Sequence, residues 1–442
     1  MNISNTKSNS LSREMFGELP EQWEYRKLGH GIEIKGGQVD PTKESYSSML
    51  LVSPKHIESG TGKMIDRQTA EEQGAQSGKY LCEPGDIIYS KIRPELAKAT
   101  IAPERCLCSA DMYPIKSRSA YRNQFLAWLL ISKPFTELVS LQSQRVAMPK
   151  TNRESLSRIR IPTPPLEQQD TITSYLNKKT SEIDNAIEKT SNLEDRLKNR
   201  RVTKIYEQIT HSGKEHTGKK QTDIPWLGKV PEEWGVAKVG WIFDIQLGKK
   251  LNESEITGEN LYPYLRNKDV QWWDVNTDNL PKMDFSPREQ SKFQLKKGDV
   301  LVCEGGEAGR SAIWKGDNKE TYYQMALHRV RPINGDQIPE FFCYFMEFAV
   351  KSGLFSSRAN QSTIEHITTE KLSNQKMPIP PRRQQERIAK RLSESVDNIE
   401  KSISSIKKLR NVLEEKRQAI ITAAITGQID MSEDQGMSKI PT

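Results

Sequence analysis

The chain has 442 residues, with 66 Lys and Arg against 58 Asp and Glu, for a formal net charge of +8. That length exceeds one ordinary domain, and 28% charged against 35% hydrophobic residues suits several soluble domains joined by polar helices better than one large core. The basic balance fits a polyanionic partner, and the composition excludes a membrane-spanning or disulfide-framed protein.

In chain order, Met1 to Ser10 is polar and carries no leader-like apolar segment, so residues 1–14 are expected to be a disordered or short terminal piece of a soluble, cytoplasmic protein. Residues 15–160 are of domain size. They open on Gly17 to Glu24, with Pro20 and Trp23, and Gly85-Asp86 leads into a strand to Ser90. Tyr113 to Lys116 reads as another strand and Gln124 to Ile131 as a short buried helix. After Pro164-Pro165, apolar residues recur at Ile172, Leu176, Ile183, Ile187, Leu193 and Leu197, on to Ile205 and Ile209. This heptad-like stripe predicts a long amphipathic helix that starts at the prolines and stops at Gly213. Residues 161–222 are this helix and a flexible basic linker.

A second domain is expected over 223–376. Its opening, Gly228 to Gly235 with Pro231 and Trp234, matches that of the first. Gly298-Asp299 again leads into a strand to Cys303, and the longest apolar run, Phe341 to Val350 with Glu347 inside it, reads as buried helix or strand. Residues 377–430 repeat the stripe after Pro380-Pro381, at Ile388, Leu392, Ile399, Ile403, Leu409 and Leu413, and Gly427 fits the stop. Residues 431–442 are expected to be a flexible tail.

The whole chain therefore repeats once. Ile161 to Gln169 matches Met377 to Gln385, and the offset stays at about 210 to 216 residues at all three anchors. Between the anchors the copies diverge, which suggests one scaffold with two specificities. The fold class expected is α+β: two similar α/β domains separated by two long helices, with internal pseudo-two-fold symmetry. Each helix of ~40–45 residues, or roughly 60–65 Å, needs a partner for its stripe. The two are expected to pair with each other as an antiparallel coiled coil. That pairing would put the globular copies at opposite ends of a rod, able to touch two half-sites on one duplex.

Candidate DNA contacts lie in polar, basic, glycine-rich stretches. In the first copy they are Lys35, Gly36 and Gly37, then Lys91 and Arg93, then Arg145, Lys150 and Asn152, continuing to Arg153. In the second they are Lys249 and Lys250, Arg266 and Asn267, Arg310 at the end of a Gly-rich stretch from Glu304, and Arg358, Asn360 and Gln361. Arg and Lys match guanine edges, Asn and Gln match adenine edges, and small residues let the backbone approach phosphates.

Catalytic signatures are lacking. Gly213 to Lys220 resembles a phosphate-binding loop but ends in Lys220 where Ser or Thr would hold Mg²⁺, and it follows a helix rather than a strand. No metal site is expected: the six His have no His-Glu-x-x-His frame, and Cys82, Cys106, Cys108, Cys303 and Cys343 have neither zinc-site nor disulfide spacing. They read as reduced, partly buried thiols. Neither an Asn-Pro-Pro-Tyr-like tetrapeptide nor a glycine-rich strand–helix turn for S-adenosylmethionine is present.

The two Pro-x-x-Trp openings, the two Gly-Asp turns and the two Pro-x-Pro-Pro-x-x-Gln-Gln junctions together resemble the specificity subunits of type I restriction-modification systems. Ile209-Thr210 and Ile425-Thr426-Gly427 near the helix ends are similar to that family too. The resemblance runs from about residue 15 to 430 and implies two target-recognition domains, each reading half of a split site on double-stranded DNA. It also implies a spacer that docks two methyltransferase subunits, with two restriction subunits in the nuclease form. S-adenosylmethionine, ATP and Mg²⁺ belong to those partners, and no cofactor is expected in this chain. Few residues precede Gly17, so an N-terminal helical segment completing the helix bundle is expected to be short or missing. Two other readings stay open at this point. One is a coiled-coil scaffold with protein-binding heads. The other is a specificity subunit of a different methyltransferase-based defence system.

Overall fold

The computed structural model describes residues 11–143, 150–211, 218–251, 258–316, 320–355 and 366–429. The chain divides into two compact units, Met1–Thr190 with Lys408–Thr442, and Ser191–Lys407. Each unit takes in one globular domain and a stretch of both long helices, so the segments expected over 161–222 and 377–430 are shared between units.

In the first unit, the strand Glu24–Lys27 that follows the Trp23 opening pairs antiparallel with Arg160–Thr163, the strand that leads to the prolines. The main sheet has the order Ile32–Ile34, Met112–Ser117, Ile87–Ser90, Ala99–Ile101. A second sheet joins Gln38–Val39, Lys79–Cys82, Cys106–Cys108 and Leu51–Val52, the last two in parallel. Helices Asn123–Ile131 and Lys133–Ser143 bury Phe125, Leu129, Phe135 and Leu138 among Ile87, Tyr89 and Ile115. Residues 11–16 are helical, with Phe16 in this core, so part of the segment expected to be disordered or short, from residue 11 on, is a helical turn on the first unit.

The second unit repeats this plan. Gly235–Lys238 pairs with Lys376–Ile379, and the main sheet runs Phe243–Leu247, Leu327–Pro332, Val300–Cys303, Ser311–Ile313. Leu261–Leu265 is the middle strand of the smaller sheet and runs parallel to Tyr322–Tyr323. Phe341, Phe342, Phe345 and Met346 of helix Pro339–Lys351 fill the core against Val300, Val302 and Trp234. The basic segment before this domain is partly ordered rather than a loose linker: Lys219–Gln221 pairs with Lys229–Pro231.

The long helices run Leu166–His211 and Arg382–Ile425. Pro and Gln start each: Pro165 and Pro381 carbonyls accept the Gln169 and Gln385 amides at 3.0 and 3.1 Å. Gly427 ends the second in the left-handed region (φ 72°), where an added Cβ would stand 2.5 Å from Pro20, so only glycine fits. Within the second unit the two helices lie antiparallel, since Lys407 faces Glu194 at 3.9 Å and Arg201 pairs with Glu400. Within the first, Arg417 bonds Asp184 at 2.9 Å, and Ile172 and Leu176 share a core with Ile421 and Ile425.

The seam departs from the apolar stripe at its centre. Leu193 and Leu409, expected in the seam, are 46% and 50% exposed, whereas Glu194 is 6% exposed. The helical period carries the buried face through Thr180, Thr190 and Glu194 on one helix and Ile406 and Arg417 on the other. Counting only apolar residues shifts the face by one position there.

Candidate nucleic-acid interface

The repeated sequence anchors are the frame of each globular domain. Trp23 Nε1 donates to Gln168 Oε1 at 2.6 Å, and Trp234 Nε1 donates to Gln384 Oε1 at 2.8 Å. The second glutamine of each pair is buried and ties the helix start to the domain. Gln169 accepts the Arg122 amide at 2.8 Å and donates to the carbonyls of Ala120 and Pro164. Gln385 accepts the Ile338 amide at 3.0 Å and donates to Pro380 O at 2.8 Å. The Gly-Asp turns repeat as well: Asp86 accepts the Glu83 amide and Asp299 the Lys296 amide, both at 2.7 Å. Each carboxylate also holds a cation. Asp86 pairs with Lys35, and Asp299 with the Arg331 fork at 2.6 Å.

On this frame three chain segments of the first unit converge. The Lys91 carbonyl accepts the Thr151 amide at 2.9 Å, and Ile92 bridges Lys150. Arg153 donates to the carbonyls of Lys35 (2.9 Å) and Ile34 (3.2 Å). Its guanidinium lies 5.2 Å from the Tyr113 ring centre and 5.6 Å from Tyr80, with Lys91 Nζ 5.2 Å from Tyr113. Burial raises the Tyr113 pKa against the opposing pull of Arg153, so the phenol stays a neutral donor, to Thr151 O at 3.3 Å. The structure thus brings the segments of Lys35, Lys91 and Lys150 together beside Tyr113, with Gly36, Gly37, Arg93 and Lys150 exposed. Arg93 is itself left-handed (φ 48°), an uncommon conformation for a side chain of its size. Cations with backbone that can be closely approached are what phosphate contact requires. Asn152 acts within the fold instead. Its Oδ1 caps the helix Arg153–Arg158 through the Ser155 amide at 2.7 Å. Arg145 lies outside the described residues. Sequence reading missed Tyr113 and Tyr80, whose role rests on tertiary position.

The second unit builds the corresponding place with other side chains. Glu304 O accepts the Ile367 amide at 2.8 Å, as Lys91 O accepts that of Thr151. His328 stands where Tyr113 does, with Nε2 2.8 Å from Ile367 O; burial lowers its pKa, so it is a neutral donor. Arg310 reaches the Asn267 carbonyl at 2.9 Å, as Lys98 reaches that of Pro54 at 2.6 Å. The glycine-rich stretch ending at Arg310 joins the paired strands Val300–Cys303 and Ser311–Ile313, so it is a hairpin loop.

Several candidates here spend their polar groups internally. Lys249 Nζ donates to Asp284 O (2.8 Å) and Glu289 Oε2 (2.7 Å), and Arg266 forks onto Asp269 at 2.7 and 2.8 Å. Asn267 donates to Gly305 O at 2.9 Å and accepts from Arg310. Lys250 is exposed. Arg358, Asn360 and Gln361 lie outside the described residues.

All five cysteines are free and buried. Among the described residues, no group of three or more His, Cys, Asp or Glu could hold a metal ion, and no helix is long and apolar enough to cross a membrane. Of the loop-like Gly213 to Lys220 segment, residues 213–217 lie outside the described residues, and Lys219 and Lys220 lie in a strand.

Two domains of one plan, each tied through a tryptophan–glutamine bond to the start of a long helix, define a class of protein with one architecture duplicated in a single chain. A family model for the type I restriction modification DNA specificity domain matches residues 20–195 and 231–415, so the chain belongs to that family, the specificity subunits of type I restriction-modification systems. It is 36% identical over 182 residues to the type I restriction enzyme EcoDI specificity subunit of Escherichia coli, a match that covers 40% of each chain. Less than half of that relative's length is therefore spanned. With the MjaVIII specificity subunit of Methanocaldococcus jannaschii it is 24% identical over 94% of this chain and 95% of the relative. Among solved structures, the HsdS subunit from Thermoanaerobacter tengcongensis superposes with a TM-score of 0.54 at 21% identity, covering 93% and 98% of the two chains. A chain from a structure of complex assembly and conformational transition of the type I R-M system gives 0.74 at 20% identity, covering 93% and 100%. These likenesses establish the same fold.

Proposed function

We propose that this chain is the DNA-reading subunit of a type I restriction-modification enzyme and performs no chemistry of its own. Each unit reads one half of a split site on double-stranded DNA. The paired helices set the gap and dock two methyltransferase subunits, and two restriction subunits join in the nuclease form. S-adenosylmethionine, ATP and Mg²⁺ act in those partners. The observation that carries this reading is one hydrogen-bonded frame built twice, with different side chains where its segments converge: Lys91, Arg153 and Tyr113 in one unit, Glu304, Thr369 and His328 in the other. A shared frame with divergent faces is what two unlike half-sites require. Lys91, Arg93 and Lys150 supply the phosphate-directed cations in the first unit, Lys35 being tied to Asp86, so affinity falls steeply with salt.

Co-expression with the neighbouring methyltransferase gene, followed by mapping of N6-methyladenine across the host genome, tests the reading. A split motif that appears only when both proteins are present is the expected result. No methylation, from a purified chain that also fails to bind DNA at low salt, would return the protein to the scaffold reading. Exchange of residues 15–160 for the equivalent domain of a relative is expected to change one half of the motif and leave the other.

A further inference from the structure

Each unit contains an arginine, half-buried in one and buried in the other, that bonds at once to the partner helix and to the recognition domain, and the two occupy the same place in the repeat. In the second unit Arg201 of the first long helix pairs with Glu400 of the second. It also binds Glu347 of the recognition domain, with Nε 2.5 Å from Oε1 and Nη2 2.9 Å from Oε2. Glu347 is 3% exposed and takes a further bond from Trp273 Nε1 at 2.8 Å. Trp273 packs on Tyr344, with ring centres 4.1 Å apart, and holds a left-handed backbone (φ 65°). In the first unit Arg417 of the second helix bonds Asp184 of the first at 2.9 Å and the Gly60 carbonyl of the recognition domain at 2.7 Å. Its guanidinium lies 5.8 Å from the Trp128 ring centre, and Lys63 binds the other Asp184 oxygen at 2.7 Å.

Arg201 and Arg417, like Asp184 and Glu400, stand in the register that relates Gln168 to Gln384. Two coincident clamps of this kind do not follow from helix pairing, which needs apolar residues at these seam positions. Burial opposes the Arg201 charge, and the bonds and charges of Glu347 and Glu400 outweigh it, so its pKa is raised. A planar fork held on two carboxylates fixes direction as well as distance. A bulky residue strained into the left-handed region persists only where its surroundings over-determine it, and Trp273 does so at this clamp.

We propose that Arg201 and Arg417 are positioning residues that lock the angle between each recognition domain and its stretch of the helix pair, and thereby set how strictly the gap between half-sites is measured. The inference rests on the split-site reading above. One base pair of extra gap moves a half-site by about 3.4 Å and turns it by about 35°, so a domain free to swivel tolerates a wrong gap that a locked one rejects.

The test uses the full chain assembled with its methyltransferase subunits, on duplexes carrying the mapped half-sites at the native gap and at one base pair more or less. The measured quantity is the methylation-rate ratio of native to altered gap. Because Arg201→Met alone leaves Glu347 buried and unpaired, the principal variant is Arg201→Met with Glu347→Met, which replaces the pair by apolar side chains. Trp273→Phe, which removes only the indole bond to Glu347, reads the same ratio in a milder background. Arg417→Met with Asp184→Asn addresses the first unit. The expected result is that the ratio falls about tenfold in the double variants while the native-gap rate is largely kept, with Arg201→Lys between them and wild type. Rates that drop equally at every gap would mean a purely structural role and overturn the inference, as would a ratio unchanged in folded variants. Failure of the wild-type assembly to recognise any split motif would instead overturn the underlying reading, and the inference with it.

Discussion

Gln385 offers the sharpest test of how the recognition domain is joined to its helix. It is buried, and replacement by the similarly shaped Met removes its acceptor from the Ile338 amide at 3.0 Å and its donor from Pro380 O at 2.8 Å. Both orphaned groups are buried. At about 1–3 kcal/mol for each unsatisfied group, Gln385→Met is expected to cost the second unit roughly 2–6 kcal/mol. The two units need not unfold together, so each transition is followed separately. Tryptophan fluorescence in a urea titration suits this, because Trp23 and Trp128 lie in the first unit and the other six of the eight in the second. Gln169→Met, the same change in the other copy, should leave the fluorescence-dominant transition in place. A loss below about 0.5 kcal/mol for Gln385→Met, or an equal shift of that transition by Gln169→Met, would refute the idea that these glutamines act as local joints.

Phe342→Ala, at the fully buried centre of the second core, should cost about 3–5 kcal/mol in the same titration, because the packed aromatics around it cannot close the void. His328 is held neutral by burial, with its pKa below the usual 6.5. The unfolded chain then takes up the proton first, so stability of the second unit is full above about pH 6.5 and is lost as pH falls from there through the lower folded pKa. Melts from pH 7.5 to 5 should show that decline, and His328→Gln should flatten it. Lys91→Ala, which removes a cation beside Tyr113, should weaken DNA binding uniformly across sequences and reduce the salt slope by about 1, measured by titrations at several salt concentrations.

Much of this architecture is legible in the residues alone, for a physical reason. Pro164-Pro165 and Pro380-Pro381 cannot continue a helix backwards, and a strand must turn at Gly85 and Gly298, so repeated backbone constraints repeat in the sequence. The partners of those motifs are not legible: Trp23 finds Gln168 across most of a domain. The apolar stripe misplaces the seam at Leu193 because a polar residue, Glu194, carries the buried face there with its charge directed at Lys198 (2.9 Å). Basic loops announce charge and not its use. Lys91 and Lys249 look alike in sequence and each lies over an aromatic ring, yet the Lys91 ring stands at the convergence of three segments whereas Lys249 is tied to Glu289. Arg201 and Arg417 read as ordinary charged positions on long helices, and only the fold brings their carboxylates to them.

The five buried thiols make the molecule its own clock. Cys82, Cys106 and Cys108 sit in the first unit, and Cys303 and Cys343 in the second. Burial pushes the Cys303 thiol up to about 11 and that of Cys343 well above its ordinary value, while a bond to Cys82, with burial, raises Cys106. All five are shut away from a dissolved alkylating reagent by burial, so none reacts until its own domain opens. Pulsed alkylation read by peptide mass would therefore time the breathing of each half separately, in one sample and without any introduced label, and would show which half stiffens when DNA is added.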